Sequence, residues 1–401
     1  MSRLAGRHVV LGVSGGIACY KSCVVARRLT EAGAEVETVL TAAASQFVGP
    51  VTFEALTGRP VITSLWQPSR ALDHVRLGRE TELIVVAPAT AHLLARVAQG
   101  MADDFLTSLL LARRSPLLLC PAMNDRMYAH PETQANLALL RSRGAHLLGP
   151  VTGPLARGEG EGPGRMVEPE AIVAHAERLL RSAAPWQGRR VLVTAGPTRE
   201  RLDPVRIVTN RSSGRMGYAL AREAWLRGAE VTLVSGPAAL EPPAGVEVVH
   251  VESTAEMASA VAEALPLADV LLMAAAPADY RPAAPLAEKA KRGEGVLKLD
   301  LEPTRDILAE TLPRRKKGAL VVGFALETGE AVAKAQAKLK AKQLDVVVAN
   351  DASEPGAGPE VATNRVTVIG KDGAEQLPLM PKEQVAEAIL DRVGMLLSKR
   401  G

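Results

Sequence analysis

A chain of 401 residues with 47% apolar but only 3% aromatic residues is too apolar for a disordered protein and too long for one ordinary core. Its 48 basic and 44 acidic residues leave a formal charge of +4, and no basic block is interleaved with aromatics, which argues against nucleic acid as a partner. Cys19, Cys23 and Cys120 lack CxxC spacing and exclude a zinc or disulfide framework. With no apolar run near the ~18 residues of a membrane span and no signal-like N-terminal core, a soluble, cytoplasmic protein with small-anion partners is expected.

In chain order, Arg7 to Gly16 reads as a strand ending in a glycine turn, and Ile17 to Leu29 as a helix. Gly12, Gly15 and Gly16 let the backbone approach an anion, and the helix N-terminus would offer N–H groups to a phosphate; a tight strand-to-helix turn explains the same glycines. The spacing is not GxGxxG, and the second strand, Gly33 to Thr41, ends without the acid that grips a dinucleotide ribose. A mononucleotide such as FMN therefore fits better than NAD.

His74 lies in Leu72 to Leu77, whose apolar spacing suggests a helix just before a strand at Leu83 to Ala87, where a surface or capping role competes with a chemical one. Cys19 and Cys23, four apart, are expected to pack as small apolar groups. The strand Leu117 to Cys120 runs into Pro121-Ala122-Met123-Asn124 at the carboxyl edge, where open α/β sheets place their ligands. Asn124 could bind a carboxylate without charge, with plain turn chemistry as the alternative. Three glycine-rich stretches, Gly153 to Arg165, Arg281 to Gly295 and Asp351 to Asn364, read as irregular loops, either lids or slack insertions.

A helical pattern at Ile172 to Leu180 breaks at Ser182 to Gly188, giving domains 1–184 and 185–401. The second half repeats the first: Arg189 to Pro197 echoes Arg7 to Gly16, Gly228 to Gly236 echoes Gly33 to Thr41, and Val270 to Tyr280 echoes Leu83 to Thr90. Two Rossmann-like parallel-sheet domains of α/β class are expected in series. In the second, Thr194 to Glu200 follows a strand, and Asn210 to Gly217 opens a helix as a phosphate cradle or as a helix capped by Ser212 and Ser213. Lys334, Lys338 and Lys342 recur at intervals of four with no acid between Glu330 and Asp345, a pattern that a polyphosphate would relieve and that a solvated basic face would also explain.

Gly12 to Ile17, His74, Ala87 to Thr90 and Pro121 to Asn124 with Met127 and Tyr128 together resemble the flavin-dependent cysteine decarboxylases of coenzyme A and lantibiotic biosynthesis. The resemblance implies a flavodoxin-like flavoprotein domain with FMN phosphate on Ser14, Gly15 and Ile17, helped by Thr41 and Thr90. It also implies His74 as base and Asn124 on the substrate carboxylate. One departure stands out: Arg157 occupies the position of the family's proton-donating lid cysteine, in a loop one residue longer. Glu159, Glu161, a water or Cys120 are the substitutes considered.

Ala195 to Glu200, Asp203 to Arg206, the Asn210 to Gly217 motif, Asp279 to Arg281, Lys289, Gly323 to Ala325 and Ala349 to Asp351 resemble the bacterial, CTP-using phosphopantothenate-cysteine ligases. Pro277 and Arg305 depart from that pattern, which bears on nucleotide choice. By this resemblance Asn210 stabilises an acyl-cytidylate with Arg206 nearby, and Lys289, on a flap, serves cysteine attack or nucleotide binding. Asp279, Arg305, Asp306, Ile307, Leu308, Phe324, Lys338 and Lys342 form the CTP site, Mg2+ accompanies the nucleotide, and no metal ligands are identified.

The order of the two halves is that of the bifunctional phosphopantothenoylcysteine decarboxylase/phosphopantothenate-cysteine ligases. Phosphopantothenate, cysteine and CTP would be the substrates. Trimeric decarboxylase and dimeric ligase contacts would build a homo-oligomer as large as a dodecamer. An active ligase with an N-terminal half impaired by Arg157, or a non-enzymatic flavin-binding subunit, are the alternatives.

Overall fold

The structure, a computed structural model, describes residues 4–66, 70, 72–158, 160–181, 184–291, 297–327, 330–351 and 353–400. It divides into two compact units, Met1–Arg181 and Ser182–Gly401.

The first unit runs β1 (His8–Val13), α1 (Cys19–Glu31), β2 (Glu35–Leu40), α2 (Pro50–Thr57), α3 (Asp73–Glu80), β3 (Leu83–Ala89), α4 (Ala91–Ala98), α5 (Phe105–Ala112), β4 (Leu117–Pro121), α6 (Asp125–Ala129), α7 (Pro131–Ser142), β5 (His146–Leu147), β6 (Val151–Pro154), β7 (Glu161–Arg165) and α8 (Pro169–Leu180). Five strands form a parallel sheet in the order β2-β1-β3-β4-β5, the flavodoxin-like order. Successive side chains of a strand point to opposite faces, so Val9, Leu11 and Val13 pack with Val25, Leu29 and Ile172 of α1 and α8, while Val10 packs with Leu106 and Leu109 of α5. Helix α1 begins two residues later than expected, because Gly16 to Ala18 form a turn closed by Cys19 N donating to Gly16 O. The first glycine-rich stretch is not irregular: β6 and β7 pair as an antiparallel hairpin.

The second unit runs β8 (Arg190–Ala195), β9 (Arg199–Arg201), β10 (Ile207–Thr209), α9 (Arg215–Leu226), β11 (Glu230–Ser235), β12 (Glu247–His250), α10 (Thr254–Ala264), β13 (Val270–Met273), β14 (Tyr280–Pro282), β15 (Leu301–Pro303), α11 (Ile307–Thr311), β16 (Leu320–Glu327), α12 (Ala331–Ala341), β17 (Val346–Asp351), β18 (Thr363–Asn364), β19 (Val366–Gly370), β20 (Gly373–Gln376), β21 (Met380–Pro381) and α13 (Lys382–Arg400). Its main sheet has the order β12-β11-β8-β13-β16-β17-β19-β20, parallel through β17 and antiparallel beyond. The six parallel strands follow the Rossmann order 3-2-1-4-5-6. Neither Ser212 nor Ser213 caps α9: the N-cap is Gly214 at φ +76°, and the Ser213 hydroxyl donates instead to Pro359 O at 2.7 Å.

Helix α9 lies so close to β8 that only glycine fits at position 217, where a Cβ would fall 2.5 Å from Ala195 Cβ and 2.8 Å from Thr194 O. Both obstacles belong to the sheet, so the helix itself must move. Gly217→Ala is expected to destabilise the second unit by about 1–3 kcal/mol. Calorimetry should then show its thermal transition several degrees lower and the first unit's transition unchanged.

Candidate active sites

In the first unit the strand order reverses between β1 and β3, and a cleft of about 940 Å³ opens at their carboxyl ends. Ser14, Gly15, Ile17, Thr41, Thr90 and Asn124, all expected from the sequence, line it. The reversal point is clasped by side chains, since Ser14 Oγ donates to Pro88 O at 2.8 Å and accepts from Thr90 N at 3.0 Å. Thr90 in turn caps α4 by accepting from Leu93 N. A Cβ on Gly15 would meet Ala43 Cβ at 2.4 Å, so the fold itself requires that glycine. Gly16 would make only an ordinary 3.6 Å contact with Thr90, so packing does not demand its missing side chain.

Asn124 caps α6, with Oδ1 accepting from Arg126 N at 2.9 Å. That bond fixes the amide and leaves its NH2 end to donate to an acceptor in the cleft. The hairpin β6–β7 supplies Pro154, Leu155, Ala156, Gly164 and Arg165 to the lining. Its second strand is tied to the Asn124 loop by Met123 N donating to Gly164 O, and a Cβ on Gly164 would lie 2.2 Å from Met123 O.

The sequence reading missed Lys21 and His92, both in the lining. Lys21 is buried on α1 and donates to Met166 O at 3.1 Å and to Glu168 Oε1 at 2.9 Å; Glu168 also binds Arg165 at 2.7 Å. Lys21 stands four residues before Val25 and eight before Leu29 on the apolar stripe of α1, which was the available signal. His92 sits in the first turn of α4, two residues after Thr90, and is the cleft's one imidazole among the described residues.

Other groups considered from the sequence do not line this cleft within one copy. His74, half-buried on α3, packs edge-on against Phe105 with its Nδ1 buried and without a hydrogen-bond partner, and it does not line the cleft. Cys120 cannot replace the lid cysteine. Its β4 side chain is wholly inside the apolar core, and burial pushes the thiol far above its ordinary range. Arg157 lies exposed at the hairpin tip outside the lining, as does Glu161, while Glu159 falls outside the described residues. No cysteine lines the cleft among the described residues.

In the second unit, the reversal point lies between β8 and β13. Asn210 donates from Nδ2 to Pro277 O at 2.8 Å, while Thr198 Oγ1 accepts from Ala278 N at 2.8 Å. Asp279 follows, exposed. Arg206 pairs with Asp203 at 2.7 Å and donates to Ala290 O at 2.9 Å, beside the exposed Lys289. The lysines of α12 and of its C-cap are better compensated than their sequence implied: Lys334 pairs with Glu327 at 3.4 Å, the capping Lys342 with Asp306 at 2.8 Å, and Lys338 donates to Phe324 O at 2.6 Å. Burial and the neighbouring Lys342 hold the Lys338 ammonium below its ordinary value against the opposing pull of Glu327, Asp306 and Asp279. Asp279, Asp306, Phe324, Lys338 and Lys342 thus gather at one edge. Arg305 is exposed beside Glu310, and Ile307 and Leu308 point into the core, so they can offer only backbone. Among the described residues, no three His, Cys, Asp or Glu side chains cluster to hold a metal ion, and no helix is long and apolar enough to cross a membrane.

The flavoprotein family model matches residues 2–181, and that of the DNA/pantothenate metabolism flavoprotein C-terminal domain matches residues 186–396. The coenzyme A biosynthesis bifunctional protein CoaBC of Mycobacterium bovis is 48% identical over 408 residues, covering 98% of this chain and 97% of the relative. The chain belongs to the bifunctional coenzyme A biosynthesis family. The CoaBC protein of Bacillus subtilis is 43% identical over 404 residues, 99% of each. A solved C-terminal domain of a CoaBC protein is 45% identical, covers 53% of this chain and 97% of that chain, and has a TM-score of 0.45. Within this family the chain is an enzyme with two activities, phosphopantothenoylcysteine decarboxylase and phosphopantothenate-cysteine ligase. The readings as an impaired decarboxylase or a non-enzymatic subunit are not favoured.

The tether between α1 and the hairpin is pH-dependent. Hydrogen bonding to Lys21 first, then hydrogen bonding to Arg165 and the charges of both, together outweigh the opposing effect of burial and hold the Glu168 carboxyl below its ordinary value. Its contribution is therefore complete above the unfolded value, about 4.3, and is lost as pH falls through the lower folded one. Hydrogen exchange at Glu161–Arg165, corrected for intrinsic rates, should quicken in acid. In Lys21→Met it should already be fast at neutral pH, with most of the acid dependence gone.

Proposed function

We propose that the β1/β3 cleft is the decarboxylase site and holds FMN, and that the β8/β13 edge is the ligase site and takes CTP with Mg2+. The observation that carries the first assignment is Asn124, whose carbonyl is engaged by Arg126 and whose amide hydrogens are left to a carboxylate. The fit to a flavin mononucleotide rests on three features: the cleft volume, its mixed lining, and a Gly16 whose bareness packing does not explain. Ser14, Gly15, Ile17, Thr41 and Thr90 would hold the phosphate end. FMN, when bound, would supply the oxidation of the cysteinyl thiol carbon that makes the neighbouring carboxylate a leaving group, and its reduced form would return the two electrons to that carbon once CO2 has left.

The chain's own part is to bind and orient. Asn124 holds the substrate carboxylate without charge, so binding opposes the departure of CO2 less than a guanidinium would. The carbon that loses CO2 must gain a proton, and His92, the imidazole of a cleft with no thiol in its described lining, is its source in this reading. His74 serves as base only when a second copy brings it to the cleft. The exposed Trp66 and Leu72 near α3 support such packing, in line with a trimeric decarboxylase within a larger homo-oligomer. Three free cysteines fit a reducing, cytoplasmic setting.

In the ligase, Lys338 and Lys342 neutralise the triphosphate, Asp279, Arg305, Asp306 and Phe324 with the backbone of Ile307 and Leu308 complete the nucleotide site, and Mg2+ accompanies it. Asn210, with Arg206 nearby, stabilises the acyl-cytidylate, and Lys289 serves cysteine attack. The test is product analysis by mass spectrometry after supplying FMN, phosphopantothenate, cysteine, CTP and Mg2+. Phosphopantetheine with CMP is expected; an unreduced enethiol would overturn the decarboxylase assignment, and absence of phosphopantothenoylcysteine and of anything derived from it would overturn the ligase assignment.

Two variants separate the sites. Asn124→Ala should lower decarboxylation about 100-fold or more while flavin absorbance is retained, the size expected for removing one oriented donor. Asn210→Asp should depress ligation by a similar factor, because its charge repels the intermediate's phosphate, and leave decarboxylation of supplied phosphopantothenoylcysteine unchanged.

A further inference from the structure

We propose that Asp203 is a positioning residue of the ligase: with Arg206 it latches the backbone of Ala290 and so sets where Lys289 stands relative to Asn210. This rests on the reading of Lys289 and Asn210 as ligase residues. The Asp203 side chain is fully buried, and its carboxylate has four donors. Oδ1 accepts from Val205 N and Arg206 N, each at 2.7 Å; Oδ2 accepts from Arg206 Nη1 at 2.7 Å and from Ala290 N at 3.1 Å. The same Nη1 donates to Ala290 O at 2.9 Å. A carboxylate and a guanidinium thus bracket both polar backbone groups of one residue, the one directly after Lys289.

Two more facts make this a device for geometry and not a general fold contact. Leu286 N donates to Leu202 O at 2.9 Å, so the 202–206 turn holds the segment at two points four residues apart, and the exposed Lys289 lies between them. The other end of that turn leads through β10 into Asn210, whose amide is pinned to Pro277 O. The latch therefore connects the strand carrying one proposed ligase residue to the backbone carrying the other. A buried carboxylate can do this only while ionised. Burial alone would raise its pKa, but the N–H groups of Val205, Arg206 and Ala290 and the Arg206 side chain outweigh that and bring it to about 2. The latch is closed throughout the neutral range.

The test uses the full-length protein and two variants. Asp203→Asn keeps the volume but replaces one acceptor oxygen by an NH2 group; Ala290→Pro removes the N–H that reaches Asp203, at a half-buried position outside any helix or strand, and also narrows the backbone range of Lys289. With CTP, Mg2+ and phosphopantothenate, pyrophosphate release in the first turnover should stay within about two-fold of wild type in both. Cysteine-dependent amide formation should fall 10- to 100-fold in kcat, and exchange at the Ala290 amide should quicken in Asp203→Asn. The second unit's thermal transition serves as the folding control and should not change, and decarboxylation of supplied phosphopantothenoylcysteine checks the first unit. Wild-type amide formation in both variants would overturn the latch, as would equal loss of pyrophosphate release and amide formation with the control intact, which would make the turn a mere scaffold. A wild-type protein that makes no amide from these substrates would instead overturn the ligase reading, and the latch with it.

Discussion

A parallel sheet whose strand order reverses cannot cover the carboxyl ends of the two strands flanking the reversal, because the loops leaving them turn to opposite faces. That constraint operates twice in this chain. Between β1 and β3 it leaves the crevice bridged by Ser14 and Thr90, and between β8 and β13 it leaves the edge where Asn210 meets Pro277. Most of the proposed site residues lie at one of these two gaps or on a segment hydrogen-bonded to it. The hydroxyl groups that bridge them also make the gaps rigid, since each satisfies a backbone group that the reversal would otherwise leave open.

What the sequence made legible follows from that geometry. Short apolar runs ending in Gly, Pro or Asn mark strands meeting the ligand edge, so β1, β3, β4, β8 and β13 and the turn residues after them could be read directly. The sequence could not tell which distant group each polar side chain would meet. Ser213 reads as a cap and instead donates to Pro359, 146 residues away. The lysines of α12 and of its C-cap look unrelieved along the chain, but Asp306 and Glu327 approach them from other elements. His74 reads as a cleft residue only by resemblance, and within one copy its helix holds it against Phe105. The hairpin at 151–165 was hidden because its strands are mostly Gly, Pro and charged residues, whose pairing depends on docking against Met123 more than on their own β propensity.

The cations of the first cleft show how charge is arranged for the proposed chemistry. Lys21 and Arg165 share Glu168, and Arg96 is paired with both Asp103 and Asp104. These are the lysine and arginine side chains of the described lining, three cations set against the three carboxylates of Glu168, Asp103 and Asp104. Asn124 differs, because its carbonyl is engaged and its amide hydrogens are left over. For a reaction that turns a carboxylate into neutral CO2, an unpaired guanidinium in the cleft would favour the charged ground state. In a site of reduced dielectric that bias would be larger than in water. Pairing off the cations keeps the basic residues as structural ties, Lys21 and Arg165 joining α1 to the hairpin through Glu168 and Arg96 joining α4 to the start of α5, while removing that bias. An amide can then act as the anchor because the charges around it are already balanced.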